Sequence, residues 1–456
     1  MNLVGRSFAR DTFVQALSAD AFVRAMLDFE RALAEAEGDA GVIPPEAARI
    51  IASACAELSP APEALAREGK RSGSLAVPLV KALTEQVACT DGRAAAFVHY
   101  GSTSQDVLDT ALVLCLKPCL TEADHVLAVA VSRLAGHARR HAGVVMLGRT
   151  LMQPATPITA GVKIARWAAS LHRCRLRLAE ARDRALRIQL GGAVGTLDAL
   201  GRSRAAVRCV VARRLGLGEA GAWHDQRDEL LRAMAELAIV TETVGKIARD
   251  VALLSQAEVG EMLESPPAKG VGGSSAMPHK RNPVACLQAL AAAVRVPGLM
   301  ATLLSGSLGE HERALGGWQA ELVTIPDLVD AAGSALDALE RIAAGLVVNP
   351  ERMKTNLEAL QGLVFSERLA RVIARDTDRA SALAVVDDWS AVAVTERRHL
   401  RDIALARRPE LTGQLDEVFS LEAIIGELRP VLDETLAGIT ADAGDDESPF
   451  NKAGQA

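Results

Sequence analysis

The chain has 456 residues, 49% apolar and 24% charged, with a formal net charge of -6. That length exceeds one ordinary hydrophobic core, so two or three packed units are expected, and an acidic balance without basic runs among aromatics excludes a nucleic-acid-binding footprint. Aromatic residues are only 3%; burial falls to Ala, Leu and Val, which favours closely packed helices over sheet.

The opening MNLVGRSFARD lacks a signal-peptide apolar core, and no apolar run reaches the roughly 18 to 20 residues that span a bilayer, so a cytoplasmic location is expected. The first amphipathic stretch, SADAFVRAMLDFERALAEAE, predicts a helix capped by Ser18 or Asp20. GVIPPEAA, LSPAPEA and GKRSGS then punctuate shorter helices up to about residue 110.

In HYGSTSQDVLDT (99–110), Thr103 or Ser104 can cap a helix beginning near Asp106. The free amides of such a helix start suit a carboxylate ligand, and structural capping alone explains the segment equally well. His99 is an acid or base candidate, with a structural histidine as the plainer reading. GRTLMQPATPITAG (148–161) places Arg149, Thr150 and Gln153 around a turn stiffened by two prolines. A guanidinium there suits bidentate carboxylate binding, and a simple connecting turn is the alternative.

Between these landmarks run long proline-free windows. Ile164, Trp167, Leu171, Cys174, Leu178, Ala181, Ala185 and Ile188 step by three and four, a coiled-coil-like seam. A second seam runs Leu230, Met234, Leu237, Thr241, Val244, Ala248, Val251, with Gly245 as its weak point. Rods of about 40 Å need partners along their length, and alanine at the seams favours a bundle shared between subunits.

GGSSAMPHKRNP (272–283) is the most specific segment. Its glycines permit a lid-like loop, Ser274 and Ser275 supply hydroxyls, and Met277, Lys280, Arg281 and Asn282 precede a helix opened by Pro283. A hydroxyl beside cations can take a proton next to a carboxylate if the developing negative charge is stabilised. No Walker loop is present, HARRH (137–141) lacks the glutamate of a zinc helix and reads as an exposed helix face, and the seven cysteines contain no C-x-x-C pair. Neither metal nor cofactor is implied. Beyond NPERMKTNL shorter helices follow, and disorder is expected from about residue 441. The chain divides into an N-terminal helical domain (1–110), a central long-helix domain (111–345) and a C-terminal helical domain (346–456).

GSSAMPHKRNP resembles the signature of the fumarase/aspartase superfamily, and HYGSTSQDVLDT and GRTLMQPATPITAG resemble its other two regions, in the same order. The resemblance implies an all-α fold whose long central helices form a bundle shared in a homotetramer, with each active site built from three subunits. It places Ser274 as the catalytic serine and His99 as a second proton-transfer candidate. Thr103, Ser104, Arg149, Thr150, Gln153, Ser275, Met277, Lys280 and Asn282 become substrate-binding positions.

In several lyases of the superfamily a histidine follows the threonine of the second region, whereas here the residue is Leu151; Pro154 stands where adenylosuccinate lyases carry another. An amine or hydroxide must be protonated as it leaves, but a carboxylate, with a pKa near about 4, needs no such help. GRTLMQPATP with EHERALGGWQAE (310–321) is similar to the lactone-forming cycloisomerase branch. That implies a small tricarboxylate substrate, closed by intramolecular carboxylate addition during protocatechuate degradation. A fumarate-releasing lyase such as adenylosuccinate lyase is the first alternative, and a noncatalytic crystallin-like scaffold the second.

Overall fold

The computed structural model describes residues 7–264, 277 and 280–441. Its helices run α1 Asp11–Ala16, α2 Ala19–Asp39, α3 Pro45–Glu57, α4 Pro62–Ser72, α5 Ala76–Thr90, α6 Ser104–Arg140, α7 Ala160–Ala185, α8 Arg204–Leu215 and α9 Asp228–Leu254. They continue as α10 Val284–Gly306, α11 Gly317–Gly345, α12 Pro350–Glu358, α13 Ser366–Ile373, α14 Arg379–Glu396, α15 Leu400–Arg407, α16 Thr412–Val418 and α17 Leu421–Ala441. Four short strands interrupt them: β1 Val145–Thr150 pairs antiparallel with β2 Gln153–Thr159, and β3 Met262–Glu264 with β4 Leu346–Val348. The all-α expectation stands, with these two hairpin-sized sheets added.

Two compact units are interleaved along the chain. The first takes Met1–Val126, Cys174–Gly245 and Gln288–Asp337, and the second takes Leu127–Arg173, Lys246–Leu287 and Ala338–Ala456. The residue-110 division of the sequence falls inside α6, which starts at Ser104. In the first unit Met26, Phe29 and Leu33 of α2 pack with Leu79, Val107 and Val211. In the second, Leu369, Ile373, Trp389 and Leu400 form a core that takes in Val145 and Leu147 of β1.

Local chemistry explains several boundaries. Ser18, not Asp20, caps α2, its hydroxyl accepting from Ala21 N–H at 3.2 Å. Every residue of both seams is buried, as apolar residues at that period require. The seams therefore find partners within this one chain. Gly245 is no weakness: a Cβ there would lie 2.5 Å from Ala293, so glycine permits the close approach of α9 and α10.

Other expectations change. Pro118, Pro297, Pro326 and Pro430 all lie inside helices, so proline marked helix limits too strictly. GRTLMQPATPITAG is not just a proline-stiffened turn joining two helices but the β1–β2 hairpin, in which both strands are edges and tolerate Pro154 and Pro157. Helix α10 is long and apolar enough, by length and composition, to cross a membrane, with a mean hydropathy of 1.6 over its most apolar window. That overturns the expectation that no segment qualifies; Gln288 and Arg295 interrupt the run without lowering its mean enough. A bundle helix passes the same test, and Cys286, Ala289, Val296 and Leu303 of α10 are buried. Five cysteines are buried, and Cys89 and Cys209 are exposed. His137 and His141 are half-buried and stacked, not an exposed face. The tail expected to be disordered, from residue 442, lies outside the described residues.

Candidate active site

The first unit carries the HYGSTSQD segment as a tight turn into α6. His99 has φ of +60° and Gly101 +68°, the left-handed region that a histidine rarely occupies. Asp106, at the third position of α6, reaches back to accept from Thr103 N–H at 3.1 Å, one half of a capping box. The same buried carboxylate accepts from Gln189 Nε2, Gly191 N–H and Gly192 N–H, each at 2.9 Å, and from Ser102 Oγ at 3.4 Å. So Asp106 is the bolt that ties the turn to the segment after α7, and Thr103 and Ser104 are held at a helix start that it shapes.

His99 is placed by α2. Its Nδ1 lies 2.6 Å from Oε1 of Glu30, whose side chain is only 1% exposed. Burial works most strongly against a charged ring, yet the charge and hydrogen bond of Glu30, with Asp106 adding to them, raise the His99 pKa above 6.5. Glu37, further along α2, is pushed up to about 9 by burial and then by the charge of Glu30. Sequence reading missed Glu30 and Glu37, which looked like the polar residues of an amphipathic helix.

Of EHERALGGWQAE, also in the first unit, Trp318 and Glu321 enter a buried cluster, while Glu310, His311, Glu312 and Leu315 are exposed. Arg227 donates through Nη1 to Asp109 at 2.6 Å and through Nη2 to Glu321 at 2.8 Å, while its guanidinium lies 4.5 Å from the Trp223 ring centroid. Trp318 Nε1 donates to Asp109 at 2.9 Å. Arg313 donates to Ala193 O at 3.0 Å.

In the second unit the hairpin presents Thr150 and Gln153 as an exposed cross-strand pair closing a two-residue turn. The turn residues, Leu151 and Met152, have φ of +49° and +66° and are 96% and 69% exposed. Turns of this hand normally use Gly, Asn or Asp. Arg149 points its guanidinium at Glu261, donating at 2.8 and 2.7 Å to the two oxygens of a fully buried carboxylate. Asn356 Nδ2 donates to the same Glu261 at 2.8 Å. The expected substrate-binding arginine is thus already engaged bidentately by a carboxylate of its own chain. Lys163, on α7, is a further cation that sequence reading missed; burial holds its ammonium below the ordinary lysine range.

Of the GGSSAMPHKRNP segment, Ser274 and Ser275 lie outside the described residues. Met277, Lys280 and Arg281 are exposed, Asn282 is partly buried, and Lys280 N–H donates to Met277 O at 3.0 Å. Glu264 accepts from Ala285 N–H at 3.1 Å and Cys286 N–H at 2.6 Å. The start of α10 is therefore capped by the chain itself, and those two amides are not free for an anion.

A protein family described as Lyase matches residues 6–298. A 3-carboxy-cis,cis-muconate cycloisomerase from Bradyrhizobium diazoefficiens is 42% identical over 423 residues, covering 91% of this chain and 93% of its own. A nitrosuccinate lyase from Streptomyces davaonensis is 37% identical over 440 residues, covering 93% and 92%. The crystal structure of a 3-carboxy-cis,cis-muconate lactonizing enzyme from Pseudomonas putida superposes with a TM-score of 0.87 at 38% identity, over 95% of this chain and 98% of that one.

Proposed function

The chain belongs to the fumarase/aspartase superfamily of lyases, and from that premise we propose that it is a cycloisomerase that converts 3-carboxy-cis,cis-muconate to 4-carboxymuconolactone, a step of protocatechuate degradation in the β-ketoadipate pathway. Similarity to cycloisomerases carries this reading, and the Leu151–Met152 turn fits it by offering no titratable side chain where a leaving amine or hydroxide would need an acid. The 42% identity to a cycloisomerase over nine-tenths of the chain supports it.

In the reaction one substrate carboxylate forms a C–O bond at one alkene carbon, the π pair moves to the neighbouring carbon, and that carbon takes a proton. Nothing leaves, and the product carries one negative charge fewer than the substrate. Thr103, Ser104, Thr150, Gln153, Ser275, Met277, Lys280 and Asn282, drawn from three subunits of the proposed tetramer, make up the proposed binding set for the three carboxylates; the pairing of Arg149 with Glu261 argues against its joining them. Ser274 and His99 are the two proton-transfer groups. A neutral serine hydroxyl gives up its proton reluctantly, whereas an imidazolium is an effective acid near neutral pH, so His99 is assigned as the donor.

The assembly proposed is a homotetramer in the cytoplasm. Exposed apolar residues on the long helices support it: Leu176 on α7, Ile239 on α9, Leu287, Val294 and Leu304 on α10, and Val323 on α11. Light scattering tests it, and a monomer at working concentration refutes it.

A second reading has equal support from the turn. Nitrite, expelled from nitrosuccinate, is also a weakly basic anion that leaves without an acid. The deciding experiment mixes purified protein with 3-carboxy-cis,cis-muconate in the presence of EDTA and follows loss of the diene absorbance, with the lactone identified by NMR. Turnover on this substrate, sharply reduced in His99→Gln with its assembly intact, is expected. A flat trace with fumarate released from nitrosuccinate or adenylosuccinate would replace the cycloisomerase with a lyase. A protein inert to all three would be a scaffold.

A further inference from the structure

Glu30 and His99 come from segments 69 residues apart and meet at 2.6 Å with the carboxylate buried to 1%. The histidine reaches this contact from a left-handed backbone, φ +60°, a conformation that costs free energy unless the surroundings hold it. Among the described residues Oε2 of Glu30 has no hydrogen-bond partner, so the one recorded hydrogen bond of this side chain goes to the imidazole. Nε2 of His99 is left without a partner among the described residues.

We propose that Glu30 is a positioning residue for proton transfer: by accepting from Nδ1–H of His99 it fixes the ring and leaves Nε2–H as the proton offered to the substrate carbon. This rests on the assignment of His99 as donor above. A histidine ring has two nitrogens, and the bond made by one settles the state of the other. A carboxylate on Nδ1 rules out the neutral tautomer that would keep Nδ1 bare and carry its only proton on Nε2, and it favours the doubly protonated ring.

The other titratable groups around the pair reinforce this. Glu37, on the same helix, stays protonated because burial and Glu30 push it up to about 9, so it places no second charge in the pocket. Cys55 of α3 is pushed up by burial, then by Glu30, and remains a neutral thiol. Asp106 of α6 adds attraction for a positive ring. After each turnover the neutral imidazole takes a proton from solvent, which balances the proton consumed in lactone formation.

The test is Glu30→Gln in the full chain, with kcat and KM for 3-carboxy-cis,cis-muconate measured across neutral pH. Expected are a kcat loss of about 10- to 100-fold with KM nearly unchanged and an alkaline limb of the kcat profile displaced to lower pH. Glu30→Asp should recover part of that displacement. His99→Gln combined with Glu30→Gln should lose no more than His99→Gln alone, because both act through one ring. An alkaline limb that stays in place in Glu30→Gln, or multiplicative losses in the double variant, overturns the inference while leaving His99 as donor. Full turnover in His99→Gln overturns the donor assignment itself. Should Glu30→Gln fail to fold, NMR titration of the His99 ring in the unaltered protein decides: a pKa above 6.5 is expected, and a value at or below it overturns the inference.

Discussion

His99 with Glu30 and Arg149 with Glu261 are the same kind of contact with different consequences. Each joins a cationic side chain from a signature segment to a buried carboxylate far away in the chain, 69 and 112 residues respectively. In the first the cation can lose its proton, and one ring nitrogen stays without a partner. In the second the guanidinium is permanently charged and both carboxylate oxygens are taken, with Asn356 completing the shell. A partner that titrates makes the first pair chemistry, and one that does not makes the second scaffold.

The sharpest way to break that contrast is to remove each cation. His99→Gln should cut kcat by about 10²- to 10⁴-fold with the melting temperature nearly unchanged, as stopped-flow and calorimetry would show. Arg149→Ala should do the reverse to stability, since it strands the buried Glu261; a loss of about 3–5 kcal/mol is expected, read by denaturant unfolding. If Arg149→Ala folds normally but loses only substrate affinity, the arginine binds substrate and the contrast fails.

Smaller effects sharpen it. Met152→Gly should stabilise the isolated chain by about 0.5–1 kcal/mol, because φ of +66° suits glycine; a destabilisation in the assembled protein would mean that this exposed tip is covered there. Glu37→Gln should flatten the pH dependence of stability. The folded pKa of Glu37, about 9, lies above its ordinary 4.5, so its contribution is complete below about 4.5 and is lost as pH rises towards 9. The wild-type melting temperature should therefore fall over that interval more than the variant's. For His99, also raised, the sign is the same: its contribution is full below 6.5 and lost as pH climbs through the higher folded value.

By itself the sequence determined the helices and the faces they bury, because a period of three and four is a local property: every seam residue from Ile164 to Ala185 and from Leu230 to Val251 is buried on a helix, and only Ile188, also buried, lies past the end of α7. The cap at Ser18 and the helix start beside Thr103 were legible for the same reason, since capping partners stand three residues apart. The signature segments also carried the family and the shortlist of site residues. Only the tertiary structure decided what those residues touch. Glu30 lies 69 residues before His99, Gln189 83 residues after Asp106, and Glu261 112 residues after Arg149, and no local pattern marks one glutamate among many as a buried partner. The hairpin at Leu151 was hidden because prolines read as turn residues, while pairing across a sheet with two free edges accommodates them. Periodicity is written in neighbours along the chain, whereas charge pairing is written in neighbours through space, so only the fold could single out Glu30 and Glu261.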